Sequence, residues 1–328
     1  MNINKLAYFL FAITFVITAC EKDEPTIKLP TRGNTSFIVI DSLGKDFEKQ
    51  AFFNLKDSQI TLVNINSWDL AFDASQFGYN ITINGGMDMY AAKVNSRKFI
   101  KSSKPDTFNY KWDSPCGCYD SLAINRWLEN GDKIYILDRG GYYKTDRYFQ
   151  IRFIDVNPNS YRFEYATLDN PNTIISVILA KDPSKQNVYF SFTTPTTYIN
   201  FEPKKDDWDF CFLKYRYVFY ENDPIVKYVV RGIFINTFKN DVAIDSTINF
   251  ESITPIYAEN NCHYSNLRDV MGYDWKVYNF TTGQYVARTK VNYIIRDWHS
   301  HETYKLRFLD FNNNGVKGTP KFEYLILK

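Results

Sequence analysis

SWDLAF at residues 67–72 has a near copy in DWDFCF at residues 207–212. Each sets Trp-Asp ahead of an apolar residue, a small residue and Phe. Three further pairs of segments keep the same order. FIVIDSLGKDFEKQAFFNL, starting at Phe37, and IISVILAKDPSKQNVYFSF, starting at Ile174, both run from a β-rich stretch through a charged turn to Lys-Gln and an aromatic-rich stretch. IYILDR, ending at Arg139, mirrors NYIIRD, ending at Asp297. YFQIRFIDVNPNSYRFEY (148–165) mirrors YKLRFLDFNNNGVKGTPKFEY (304–324), with Ile151–Asp155 matching Leu306–Asp310 and Phe163-Glu164-Tyr165 matching Phe322-Glu323-Tyr324. Four landmarks in one order predict two copies of one unit, at residues 34–169 and 170–328.

Each landmark reads as strand. Alternation puts Trp208, Phe210 and Phe212 on one face, with Asp209 and Cys211 on the other. NNNGVKG and the shorter PNS supply hairpin turns. The best helical stretch is DSLAINRWLENG, with Ser121 as N-cap and Gly131 as stop. A load of 25 Tyr and 27 Phe, with frequent Ile, Val and Thr, suits pleated, half-buried surfaces. The expected fold is therefore all-β, as two tandem antiparallel units. Hydrophobic content of 45% is enough for a real core. A net charge of +2 without a basic run argues against nucleic acid as a partner.

The N-terminus carries the most specific local signal. An apolar run from Leu6 to Ala19 stops at Cys20, too short for a comfortable membrane span and of the right length for a signal peptide over residues 1–19. Ile17-Thr18-Ala19-Cys20 resembles the lipobox of bacterial lipoproteins, which implies cleavage before Cys20 and lipidation of that residue. At about 0.8 kcal/mol per buried CH₂, several acyl chains hold a soluble domain at a membrane. Glu21-Lys22-Asp23-Glu24 is similar to the acidic tag of lipoproteins exported to the outer face of the outer membrane. Residues 20–33 then form the lipidated end and a polar tether.

The order of these strand motifs resembles the HmuY-type haem-binding lipoproteins. The matching pieces are SWDLAF, Asn84-Gly85-Gly86 and Trp127 in the first half. In the second they are DWDFCF, Trp275, YVARTKVNYIIRD and the ending from Tyr304 to Tyr324. A typical member carries one such domain, and two in tandem would be a departure. The resemblance implies an all-β surface protein that binds haem, or another porphyrin, for handover to an outer-membrane transporter. It also implies axial donors for the iron. His263 falls in the segment comparable to one family ligand, with Met271 eight residues later. The stretch comparable to the other, Val277-Tyr278-Asn279-Phe280, has neither His nor Met. The resemblance also leaves Met87 and Met89, after the Gly-Gly loop, as candidate sulfur donors. The rival expectation is a surface adhesion or accessory protein that contacts protein or glycan without iron.

Other motifs carry less. His299 and His301 lie in an expected hairpin turn. DFNNNG (310–315) begins like a calcium loop, yet its twelfth position is Lys321 rather than Glu. Beyond Cys20 there are four cysteines, an even number that in an oxidising exterior suggests disulfides. Cys211 with Cys262 is the preferred pair, because Cys116 and Cys118 are too close in sequence for an easy bridge. No phosphate loop, HExxH or GxSxG is present, so the expectation is a non-enzyme.

Overall fold

The computed structural model describes residues 36–40, 43–44, 46–129, 131, 133–195, 199–312, 316 and 318–328. The signal peptide, Cys20, the acidic tag, the tether and part of DFNNNG lie outside the described residues. The fold is all-β, as expected, and residues 34–328 cluster as one compact unit.

Four main sheets hold most of the strands. One has the order β1 (Ser36–Val39), β19 (Lys321–Leu327), β18 (Glu302–Asp310), β17 (Asn292–Asp297), β14 (Asn240–Asp245). A second five-stranded sheet repeats that order as β10 (Ile175–Ala180), β9 (Ser160–Thr167), β8 (Tyr148–Val156), β7 (Ile134–Asp138), β6 (Tyr90–Val94). Between them lie β13 (Val226–Ile235), β12 (Phe210–Phe219), β2 (Lys49–Phe53), β3 (Ile60–Asn64), and separately β11 (Asn187–Phe190), β4 (Leu70–Asp73), β5 (Ile81–Ile83). A small hairpin, β15 (Lys276–Asn279) and β16 (Gln284–Ala287), stands apart.

Alternation along the middle strands layers the molecule. Leu70 and Phe72 of β4 face the β6–β10 sheet, whereas Ala71 faces the other way. Ala51 and Phe53 of β2, with Phe210 and Phe212 of β12, face the β14–β19 sheet. Phe52, Cys211 and Leu213 turn from it and meet Ala71 and Tyr189 in a central cluster. Three apolar layers thus separate four sheets. Trp208 joins the central cluster with Cys211 rather than lying beside Phe210 and Phe212. It precedes the first strand residue, so strand alternation does not govern it.

The strand pairing divides the chain differently from the expected 34–169 and 170–328 units. β10 and β11 pair with β9 and β4, while β1 and β2 pair with β19 and β12. Matched landmarks still occupy matched positions. Arg152 opposes Glu164 beside a bulge at Phe153/Asp155, and Arg307 opposes Glu323 beside a bulge at Phe308/Asp310. Both pairs make ion pairs at 2.5 Å.

Asp69 and Asp209, the aspartates of the two Trp-Asp motifs, are both buried. Asp69 accepts from Arg139 Nε and Nη2 (2.8 and 3.0 Å), Ser191 Oγ and the Phe192 N–H. Asp209 accepts from the Leu55 N–H and from Asn240 Nδ2, and pairs with Lys239 at 2.8 Å. Buried carboxylates need this full set of donors. Two asparagines brace the same motifs from their sides. Asn84 Nδ2 donates to the Trp68 carbonyl at 2.9 Å and Asn236 Nδ2 to the Trp208 carbonyl at 2.7 Å.

DSLAINRWLENG does not form the expected helix. Arg126 takes a positive φ of 46°, and the Ala123 N–H donates to Asp113 Oδ1 instead of to a preceding turn. The side chain of Trp127 is buried in the core. The α-helix among the described residues is α1 (Pro255–Asn260), capped by Thr254 and opened by a proline at its first turn. The HSH segment does sit in the turn between β17 and β18.

Candidate ligand-binding cleft

His263 and Met271 are not brought to one site. Met271 is fully buried among the residues between β12–β13 and the β14–β19 sheet, where it fills core space. His263 is exposed, in the loop after α1. His299 packs edge-on against Phe238 and lies 3.6 Å from Asp206. His301 is exposed at φ 60°. Among the described residues no group of three His, Cys, Asp or Glu is placed to hold a metal. The axial pair suggested by the resemblance therefore does not fit an iron ligand set.

The disulfide expectation is corrected as well. The bond joins Cys116 to Cys118, and Cys211 and Cys262 are free thiols. Gly117, at φ 68°, supplies the tight turn that brings the two neighbours together. Cys211 points into the central cluster, whereas Cys262 packs with Tyr264 and Ile294 in a different one. Burial raises the Cys211 thiol to about 12, which suits an inert core residue.

An open cleft of about 740 Å³ forms where five separate segments meet. Asp46 and Glu48 come from before β2, and Asn64 to Asn66 from the end of β3. The Gly86–Asp88 loop, the Gly141-Tyr142 turn and the β12–β13 ladder complete it. Tyr142 and Tyr228 are 63% and 53% exposed, and Tyr142 packs edge-on against Tyr143. Lys214 and Arg231 give the cleft two cations, and Met87 borders it while belonging to the buried layer under the β6–β10 sheet.

Several of these groups are held from behind. Met87 follows the Asn-Gly-Gly loop, whose Asn84 Oδ1 accepts from the Met87 N–H. A side chain at Gly86 would run into the Lys214 carbonyl and Ile65. Tyr142 accepts from Asn66 Nδ2 at 3.1 Å. Behind it, Arg139, locked on Asp69, stacks under Tyr143 with its guanidinium 3.6 Å from the ring centre. Arg231 pairs with Asp46 at 2.5 Å. The Lys214 amine is lowered, first by burial and then by Arg231. Beneath Arg231, Lys276 is 7% exposed and donates to the Tyr273 and Arg231 carbonyls. Burial, with Arg231 adding to it, lowers this amine to about 7.

A second, smaller cavity of about 110 Å³ borders the central cluster and is lined by polar groups including Asp113, Glu202 and Arg268. Burial pushes the Asp113 carboxyl up to about 6, against N–H donors from Ala123 and Ile83. Arg268 donates to the Pro115 and Ser114 carbonyls and lies over Phe234.

Sequence reasoning found Met87 but not the rest of the cleft. Tyr142, Tyr228, Lys214 and Arg231 stand in unremarkable strand and turn contexts, and only the tertiary pairing of distant strands brings them together.

No family model matches the chain, and no curated protein matches it. Solved structures similar to it include a protein from Bacteroides vulgatus described as HmuY-like and haem-binding. That match has 10% identity over 89% of this chain and 91% of the other, with a TM-score of 0.23. The apo form of an HmuY analogue from Tannerella forsythia matches at 11% identity over 90% and 96%, also with a TM-score of 0.23. A protein from Bacteroides fragilis described as a lipoprotein matches at 10% identity over 90% and 91%, with a TM-score of 0.20. At these values the fold rests on the strand pairing described above.

Proposed function

We propose that this chain is a non-enzymatic binding lipoprotein of HmuY-like type, anchored through Cys20 to the outer membrane and facing outward. Its ligand is a porphyrin, haem foremost, taken in the cleft between the Gly86–Asp88 loop and β13. The observation that carries this reading is the cleft's combination of size and lining. About 740 Å³ falls within the range of pockets for molecules of this size. Two exposed tyrosines offer faces to a flat ring. Lys214 is a cation for a carboxylate at a porphyrin's edge, beside Arg231, which Asp46 already holds. The bound iron would accept axial donors there, and handover to an outer-membrane transporter completes the role.

We further read the chain as two copies of one unit whose leading strands have changed places. β1 and β2 complete the later copy's sheets, and β10 and β11 complete the earlier copy's.

A second reading has its own support. Asp46, Glu48, Asn64, Asn66 and Asp88 put carboxylates and amides beside the exposed tyrosines. That chemistry suits sugar hydroxyls, and His263 with Met271 does not converge on iron. Titrating residues 34–328 with iron-free protoporphyrin and with haemin separates ring recognition from metal ligation. Saturable binding of both, weakened at least tenfold by Lys214→Glu, supports the porphyrin reading. Binding of neither, with retention on immobilised glycan, moves the function to the second.

A further inference from the structure

Cys116 and Cys118 are joined across a single residue, in the long connection between β6 and β7. A bond over so short a span constrains the unfolded chain least, because stabilisation grows with the length of loop closed. It is not buried either, since Cys116 is half-buried and Cys118 exposed. Exposed disulfides are the ones open to exchange. The two sulfurs also have different surroundings. The Cys118 N–H donates to Cys116 Sγ at 3.2 Å, and the hydroxyl oxygens of Ser114 and Ser121 lie 3.5 and 3.6 Å from that same sulfur. The Arg268 guanidinium holds the Ser114 and Pro115 carbonyls, and a Cβ at Gly117 would lie 3.1 Å from its Cζ. Cys116 and Gly117 border a cavity of about 350 Å³ that sets Lys185, Lys205 and Arg268 against one carboxylate, Asp73. Asp113 and Asp269 also act on Arg268, so the direct donors make the larger difference between the two sulfurs. Donors and cations at a sulfur favour its thiolate.

We propose that this bond is an exchange site that oxidises small carboxylate-bearing thiols, with Cys118 as the sulfur attacked and Cys116 as the leaving group. One external thiolate adds to Cys118 Sγ as the bond to Cys116 breaks, and the electron pair of that bond goes to Cys116 Sγ. A second external thiolate then attacks the outer sulfur of the mixed disulfide, and Cys118 leaves in turn. Two external thiols end as one disulfide, and their two protons end on Cys116 and Cys118. The cations beside the bond attract the carboxylates of such a thiol. Cys211 is buried in the central cluster and Cys262 packs in another, so neither free thiol stands in for the external one.

The test is reduction of residues 34–328, carrying Cys262→Ser, by reduced glutathione at pH 7. Trapping with iodoacetamide and mass spectrometry of the tryptic peptide 112–126, which holds both cysteines, reads the outcome. The expected result is two labels per peptide, gained faster with glutathione than with cysteamine, a cationic thiol, and with that gap narrowing in salt. The single variants Cys118→Ser and Cys116→Ser then assign the roles. The thiol left at position 116 should be alkylated about tenfold faster than the one left at 118, although Cys118 is the more exposed, and urea should abolish the difference. A bond that stays closed in excess glutathione overturns the proposal. So do equal alkylation rates in the two folded variants, or a rate with cysteamine that matches or exceeds the rate with glutathione.

Discussion

Lys276 shows how much one buried charge decides. Among the described residues its amine makes no salt bridge, donating to two carbonyls with the rings of Trp275, Tyr285 and Phe311 around it, while Asp274 opposes part of the burial effect. In the unfolded chain it titrates near the ordinary 10.5, and in the folded chain at about 7. Between those values the unfolded state holds the extra proton, so stability should rise with pH across that window and be flat from this group below 7. Compared with Lys276→Met, the native chain should gain about 2 kcal/mol more between pH 7 and 9, read by urea titration. Equal pH slopes would show that the amine stays charged in the fold. Asp69 makes the opposite case, a charge that is fully met. Asp69→Asn leaves Arg139 buried beside a neutral amide and should cost about 3–5 kcal/mol. Arg162→Ala, which removes a half-exposed pair with Asp155, should cost under about 1 kcal/mol in the same assay.

At the scale of elements, the turn after β7 shows what local sequence can and cannot reveal. Gly140 sits at φ 90°, and a side chain there would meet the Met87 carbonyl, so this turn and the Asn-Gly-Gly loop lie back to back. Gly140→Ala should therefore destabilise by about 1–3 kcal/mol and loosen Tyr142 at the cleft, seen as weaker ligand binding in the folded variant. Unchanged stability would mean that the two loops are not packed as described. Strands, turns and the pairing of Ile151–Asp155 with its copy at Leu306–Asp310 were legible because alternation and turn residues are local signals. The failed helix at 120–131 shows the limit. Its caps and spacing are sound, but Asp113 captures the Ala123 N–H, and burial of Trp127 draws the segment into the core.

Across the whole molecule, the pairing of β1 with β19 and of β10 with β9 was invisible to the repeat pattern. Alternation marks β1 and β10 as strands without naming a partner, so the sheet that each joins, with β19 and β9 respectively, is set by tertiary contacts. The cleft was hidden for the same reason, since its tyrosines and cations meet only after those pairings form. Because each half completes the other's sheets, residues 34–169 and 170–328 expressed apart should lack cooperative unfolding, while mixing them should restore it. A half that folds alone would contradict the exchange. The porphyrin reading stands or falls on the cleft itself. The deciding measurement is a haemin titration of residues 34–328 followed by absorption spectroscopy in both oxidation states, beside the Tyr142→Ala/Tyr228→Ala double variant. The account predicts a saturable Soret shift for the native chain, weakened at least tenfold in the variant. A spectrum equal to that of free haemin, or a shift untouched by the double substitution, would contradict it.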